Sequence, residues 1–120
     1  MSAIRSTSAL LAEIPRLAAA IEDQIDPVAD AIEEAYVGDR QIFTIGNGGS
    51  ASNASHFAQD LVKATVTDSL TRRIRATALT DNIAHITALA NDLAYAWIFD
   101  QQLRTFGRKG DVLIAFSGSG

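Results

Sequence analysis

Apolar residues recur at Leu10, Leu11, Ile14, Leu17, Ala18 and Ile21, a spacing that lays one stripe along a helix from about Ser6 to Glu22. Pro15 falls inside that stretch and predicts a kink or a break. Asp26-Pro27 reads as the start of a second helix, with Asp as N-cap and Pro at the first helical position. Val28, Ala31, Ile32 and Ala35 give it an apolar face, and Gly38 is its expected stop. Two N-terminal helices therefore precede the rest of the chain. Their stripes are expected to be buried either within the domain or across a subunit interface. The expected organisation is a helical segment over 1–37, serving packing or oligomerisation, followed by one domain over 38–120.

Beyond Gly38 the pattern changes to short apolar runs separated by helical periods. Gln41–Ile45, Ile74–Leu79 and Asp111–Phe116 are the expected strands. The first and third are nearly continuous apolar runs, as expected of strands covered on both faces of a parallel sheet. Helical patterns lie between them at Ala51–Lys63, about Ile83–Ala90, and Leu93–Phe106. This alternation predicts an α/β fold, a three-layer doubly wound parallel sheet. Three strands are few for such a sheet, which usually holds about four to six. Ser117-Gly118-Ser119-Gly120 follows the third strand as a second turn with no helix behind it. The reading is the front part of a longer natural domain.

Composition narrows the function without choosing it. The 120 residues suffice for one domain, and 48% hydrophobic with 20% charged residues is ordinary for a soluble globular protein. A formal net charge of −4 argues against a general nucleic-acid binder. It leaves room for a small anion held in a local cradle. The chain has no cysteine, which rules out thiolate metal sites and disulfides and fits a cytoplasmic location. The apolar stretch between Arg5 and Arg16 is interrupted by Glu13 and Pro15 and is too short to span a bilayer, so no membrane segment is expected.

The chemistry concentrates where the first strand ends. Gly46-Asn47-Gly48-Gly49-Ser50 joins a buried strand to a helix start. Glycines there let backbone N–H groups converge on a ligand, and the first helical turn adds unpaired donors. Asn47, Gly48, Gly49 and Ser50 are thus anion-binding candidates; the ordinary alternative is a tight turn with Ser50 as helix N-cap. His56 and Asp60 follow at i and i+4 on one helix face. That spacing serves a metal or an acid/base pair, and equally a structural His–carboxylate contact. Asn91 and Asp92 read as caps of the following helix, or as groups for sugar hydroxyls. Asp81-Asn82 is read as a cap, and His85 as structural. Arg72, Arg73 and Arg75 form a solvated basic cluster, with a minor role in attracting an anion as the alternative.

Taken together, Gly46-Asn47-Gly48-Gly49-Ser50, His56-Phe57-Ala58-Gln59-Asp60-Leu61, Ala90-Asn91-Asp92, Gly107-Arg108-Lys109-Gly110-Asp111-Val112-Leu113 and Ser117-Gly118-Ser119-Gly120 resemble the sugar isomerase (SIS) domain, and within it the phosphoheptose isomerases. The resemblance runs from about Ala31 to the end. It implies a flavodoxin-like α/β sandwich, a homotetramer with active sites at subunit interfaces, and zinc as cofactor. It also implies interconversion of sedoheptulose 7-phosphate and D-glycero-D-manno-heptose 7-phosphate through an enediol. By matching position, Asn47, Gly48 and Gly49 would contact substrate, Ser117, Gly118 and Ser119 would hold its phosphate, and Asn91 and Asp92 would bind the sugar chain. His56 and Asp60 would bind the metal and serve the proton transfer. Asp60 stands where the family usually has Glu. The family's later Gln and His would lie beyond Gly120. A competing expectation is a non-catalytic SIS module that binds a phosphosugar or a partner protein, like the bacterial factors that bind DnaA.

Overall fold

The structure is a computed structural model that describes residues 7–65, 68 and 72–120. Ser6, the expected start of the first helix, lies outside them. The chain divides into two compact units, Met1–Ala31 and Ile32–Gly120.

The first difference from the sequence pattern is at the N-terminus. A single helix, α1, runs Thr7–Val37 with Pro15 and Pro27 inside it, where two helices were expected. Each proline removes one N–H and so frees the carbonyl four residues earlier, at Leu11 and Asp23. Both of those residues are exposed, where water can satisfy the freed oxygen. The good helix formers flanking Asp26-Pro27 carry the helix through a local capping signal. The stop is also shifted by one residue. The residue at positive φ is Asp39 (53°), not Gly38. Asp39 N–H donates to the Tyr36 carbonyl at 3.2 Å and Arg40 N–H to the Ala35 carbonyl at 2.8 Å. These are the two bonds of a Schellman C-cap. Arg72 donates to the Asp39 carboxylate at 2.8 Å and lies over the Tyr36 ring at 4.6 Å, while Arg75 bonds the Asp39 carbonyl at 2.9 Å. Arg72 and Arg75 thus hold this corner while staying half exposed to solvent, and Arg73 donates to the Lys63 carbonyl at 3.3 Å.

The second unit is the α/β domain. Strands β1 (Gln41–Gly46), β2 (Arg75–Ala78) and β3 (Val112–Phe116) form one parallel sheet in the order β2-β1-β3. Helix α2 (Gly49–Lys63) links β1 to β2. Helix α3 (Ile83–Asp92), a 3-10 turn (Tyr95–Trp97) and helix α4 (Asp100–Phe106) link β2 to β3. Ile42 and Leu61 are buried with Ala35, and Ile32, Phe57, Ile74, Ala76, Val112 and Ile114 pack around them. Thr44, fully buried, donates from Oγ1 to the Ala54 carbonyl at 2.8 Å and ties β1 to α2. Phe57 meets Phe116 edge to face at 5.6 Å, which sets α2 across β3 as well. On the other face, buried Gln102 of α4 donates to the Leu79 carbonyl at 3.1 Å just past β2. Helix, sheet and helix make the three layers expected.

Two further expectations are corrected. The helix expected over Leu93–Phe106 is broken. Ala94 is extended, a 3-10 turn follows, and α4 begins only at Asp100. Asn91 and Asp92 consequently close α3 instead of capping the next helix, and Asn91 Nδ2 donates to Asp92 Oδ1 at 2.8 Å. The third strand is not covered on both faces. Its residues alternate, with Leu113 and Ala115 exposed, because among the described residues α2 covers only the face that carries Phe116. The first strand does fit its pattern: Ile42, Phe43, Thr44 and Gly46 are buried.

Candidate functional site

In a doubly wound sheet, ligands bind beyond the carboxyl ends of the strands, where neighbouring connections leave in opposite directions. Here β1 leads into α2 on its way to β2, while β3 lies on the other side of β1. The switch point therefore falls between the ends of β1 and β3, which pair through Gly46 and Phe116. A cleft of about 300 Å³ opens there. Its lining includes Gly46, Asn47 and Ser50 from the first loop and Ser117, Gly118 and Ser119 from the second. The sheet thus joins two motifs lying some seventy residues apart in sequence, the separation read from the chain itself.

The first loop is tight for a visible reason. A Cβ on Gly46 would run into the Ser50 carbonyl, so glycine is required for helix and strand to meet this closely. Gly48 is the N-cap of α2, with φ 57°, and open space lies where its side chain would be. Ser50, expected as the N-cap, lies inside the first turn. Its N–H bonds the Asn47 carbonyl at 3.1 Å, and that of Ala51 the Gly48 carbonyl at 3.0 Å. No side chain caps this helix. In the second loop the Gly120 N–H donates to Ser117 Oγ at 2.9 Å, which leaves the hydroxyl proton of Ser117 free to donate outward.

Tyr95, which the sequence pattern did not single out, joins the site from the 3-10 turn. Its hydroxyl donates to Asn47 Oδ1 at 2.8 Å. That bond links the first loop to the segment just beyond Asn91 and Asp92. Asn82 behaves as its cap reading requires, accepting from the His85 N–H at 3.0 Å. Ser55, on α2, bonds Thr80 at 3.1 Å and also Asp81, which fastens the loop after β2 to α2.

His56 and Asp60 lie on α2 beyond the cleft, both exposed, and neither lines it. Asn91 and Asp92 are exposed at the end of α3 and do not line it either. Zinc takes at least three protein ligands. Among the described residues no three His, Cys, Asp or Glu side chains come together to hold a metal. His56 and Asp60 offer two donors, so by themselves they do not make a zinc site.

A larger cavity of about 490 Å³ lies beside Gln102 and Phe106 of α4, lined from Arg40, Arg75 and Asp111 near the strand starts to Leu79 and Asn82 beyond β2. Its charged groups are largely committed to structure. Arg40 donates to the Lys109 carbonyl at 3.0 Å, Arg75 holds Asp39, and Asp111 accepts from the N–H groups of Gln41 at 2.9 Å and Arg108 at 2.7 Å. The cleft at the switch point is therefore the functional candidate.

The family model for the SIS domain matches residues 5–120. The chain belongs to the SIS domain family. Among its SIS relatives, a phosphoheptose isomerase of Coxiella burnetii is 38% identical over 105 residues, covering 85% of this chain and 52% of the relative. Another, from Clostridium acetobutylicum, is 37% identical over 98 residues, covering 82% and 49%. The solved phosphoheptose isomerase GmhA of Neisseria gonorrhoeae superposes with a TM-score of 0.76 at 32% identity, over 92% of this chain and 58% of that one. The SIS fold is shared as well by a phosphoheptose isomerase of Francisella tularensis, at a TM-score of 0.73 and 21% identity, over 94% and 62%. The chain spans about half the length of the curated relatives it matches.

Proposed function

We propose that the protein is an aldose–ketose isomerase acting on a phosphorylated sugar, with sedoheptulose 7-phosphate and D-glycero-D-manno-heptose 7-phosphate as its substrate pair. The observation that carries this reading is the cleft where Asn47 and Ser50 meet Ser117, Gly118 and Ser119 at the end of the sheet. Backbone N–H groups and hydroxyls there suit a phosphate, and the helix dipole of α2 favours its charge. The relatives' names add the isomerase chemistry.

In this reading Ser117, Gly118 and Ser119 grip the phosphate, Asn47, Gly48, Gly49 and Ser50 contact the substrate, and Asn91 and Asp92 bind hydroxyls along the sugar. The Asp60 carboxylate removes the proton from the carbon beside the carbonyl. The electron pair of that C–H bond forms the enediol double bond, and the carbonyl oxygen takes a proton. Return of the proton to the former carbonyl carbon, as the other enediol hydroxyl gives up its proton and becomes the new carbonyl, completes the 1,2-shift with no net change in atoms or electrons. His56, four residues earlier on α2, would exchange protons with the enediol oxygens. Zinc belongs to the same proposal. It would supply Lewis-acid polarisation of the sugar oxygens, with His56 and Asp60 as two ligands and the others from outside the described residues. A homotetramer and a cytoplasmic location complete the proposal. No helix among the described residues is long and apolar enough to cross a membrane.

The test is turnover of sedoheptulose 7-phosphate by the natural protein, alongside Asp60→Ala. Loss of a general base lowers the rate by about 10²–10⁴-fold. Turnover that survives Asp60→Ala would remove Asp60 from the chemistry. The two-donor His56/Asp60 set favours one second reading, a non-catalytic SIS module that binds a phosphosugar or a protein. That reading gains if the sugar phosphate binds, no heptose or hexose phosphate is converted, and Asp60→Ala leaves binding intact.

A further inference from the structure

We infer that Tyr95 is a positioning residue that fixes which atoms Asn47 presents to the ligand; this rests on the phosphosugar reading of the cleft. An Asn side chain carries an acceptor on one side and two donors on the other, and nothing within the residue decides which faces a ligand. Here the Tyr95 hydroxyl donates to Asn47 Oδ1 at 2.8 Å, and no other side-chain bond of Asn47 is made among the described residues. With its oxygen engaged, Asn47 keeps both Nδ2 protons for the cleft that it lines. A donor is what phosphate, carbonyl and ionised oxygens require, whereas an Asn turned the other way would place oxygen against oxygen.

The fold explains why this tyrosine is available. The extended backbone at Ala94 breaks the expected helix, and the 3-10 turn that follows brings Tyr95 to the end of β1. The side chain is 60% exposed, so it adds little to the core. It also stands just beyond Asn91 and Asp92, so one hydroxyl couples the sugar-binding segment to the first loop.

The experiment compares the natural protein with Tyr95→Phe, Asn47→Ala and the double variant. Sedoheptulose 7-phosphate is the probe, with two readouts: the Asn47 side-chain amide resonance on titration, and turnover. Loss of one neutral hydrogen bond should weaken binding, and raise KM, by about three- to tenfold with kcat little changed. Melting temperature should hold, and Tyr95→Phe should add nothing in the Asn47→Ala background. An unchanged KM and amide response in Tyr95→Phe would overturn the inference. So would a Tyr95→Phe effect of equal size with and without Asn47, which marks a structural role. Binding without turnover, weakened by Tyr95→Phe, would defeat the isomerase reading and sustain the role of Tyr95. Absence of any binding by the natural protein would defeat both.

Discussion

Gly46 shows how a single residue decides whether the site exists. Its missing side chain is the space that the Ser50 carbonyl approaches, so Gly46→Ala must push the start of α2 away from β1. Overpacking of this kind costs about 1–3 kcal/mol. The expected result is a lower urea midpoint and weaker ligand binding together, and a variant of unchanged midpoint would contradict the geometry. Asp111 acts at the other end of the sheet. Burial pushes its carboxyl up, but the N–H groups of Gln41 and Arg108 and the charges of Arg40 and Arg75 outweigh it, so it titrates below its ordinary value. A folded pKa below the unfolded one stabilises the protein fully above the ordinary Asp value of about 3.9, and that contribution is lost as pH falls through the folded value. Asp111→Asn should therefore lower the urea midpoint near neutral pH, by a modest amount because solvent screens the carboxylate. Urea midpoints of the two proteins should converge as pH is lowered. The glycine-rich loop was legible because its residue types have few other uses between a strand and a helix. Tyr95 was not, since a tyrosine in an apolar run carries no mark of the atom that it will reach.

At the scale of elements, the sequence pattern located all three strands and α2 to within a residue or two, because runs of buried β-formers and a clean helical period leave little choice. It failed where periodicity continued through a break. Leu93, Ala96, Phe99, Leu103 and Phe106 keep a helical rhythm, yet the chain is extended at Ala94 and restarts at Asp100. A long-range bond accounts for part of this. Gln102 is buried, and its Nε2 donates to the Leu79 carbonyl at 3.1 Å and the Ile98 carbonyl at 2.7 Å. These two bonds pin α4 to the end of β2 in a position that local pattern does not encode. Gln102→Leu keeps the volume but removes both donors and strands the Leu79 oxygen, at a cost of about 1–3 kcal/mol. Hydrogen exchange should then speed up first in α4 and the preceding turn. Uniform acceleration over the whole sheet would show instead that Gln102 supports global stability. The opposite failure befell α1, where two prolines announced breaks that an exposed helix can absorb.

At the scale of the molecule, the exposed stripe of α1 makes the strongest demand. Leu10, Ile14, Leu17, Ile21, Ile25 and Val28 follow three- and four-residue steps, with Leu11 beside them, and each is 47–62% exposed. A row of this spacing is what the seam of a paired helix carries. A fully buried Leu, Ile or Val is worth about 1.5–3 kcal/mol over its exposed form, so covering even part of such a row outweighs the usual cost of association. The apolar stripe was plain in the sequence, but its partner was not, because a stripe records only that something must cover it. A second copy of the chain is the partner that the proposed homo-oligomer supplies. Sedimentation velocity on the natural protein should accordingly give a mass above that of one chain. Ile14→Glu with Ile21→Glu, two turns apart on the same face, should weaken association by on the order of 100-fold or more, since each change buries a charge in the seam. Circular dichroism should show the sheet unit still folded, because Ile42, Leu61 and their neighbours are untouched. A protein that sediments as a single chain before substitution would remove the helix from assembly and leave its stripe to another partner.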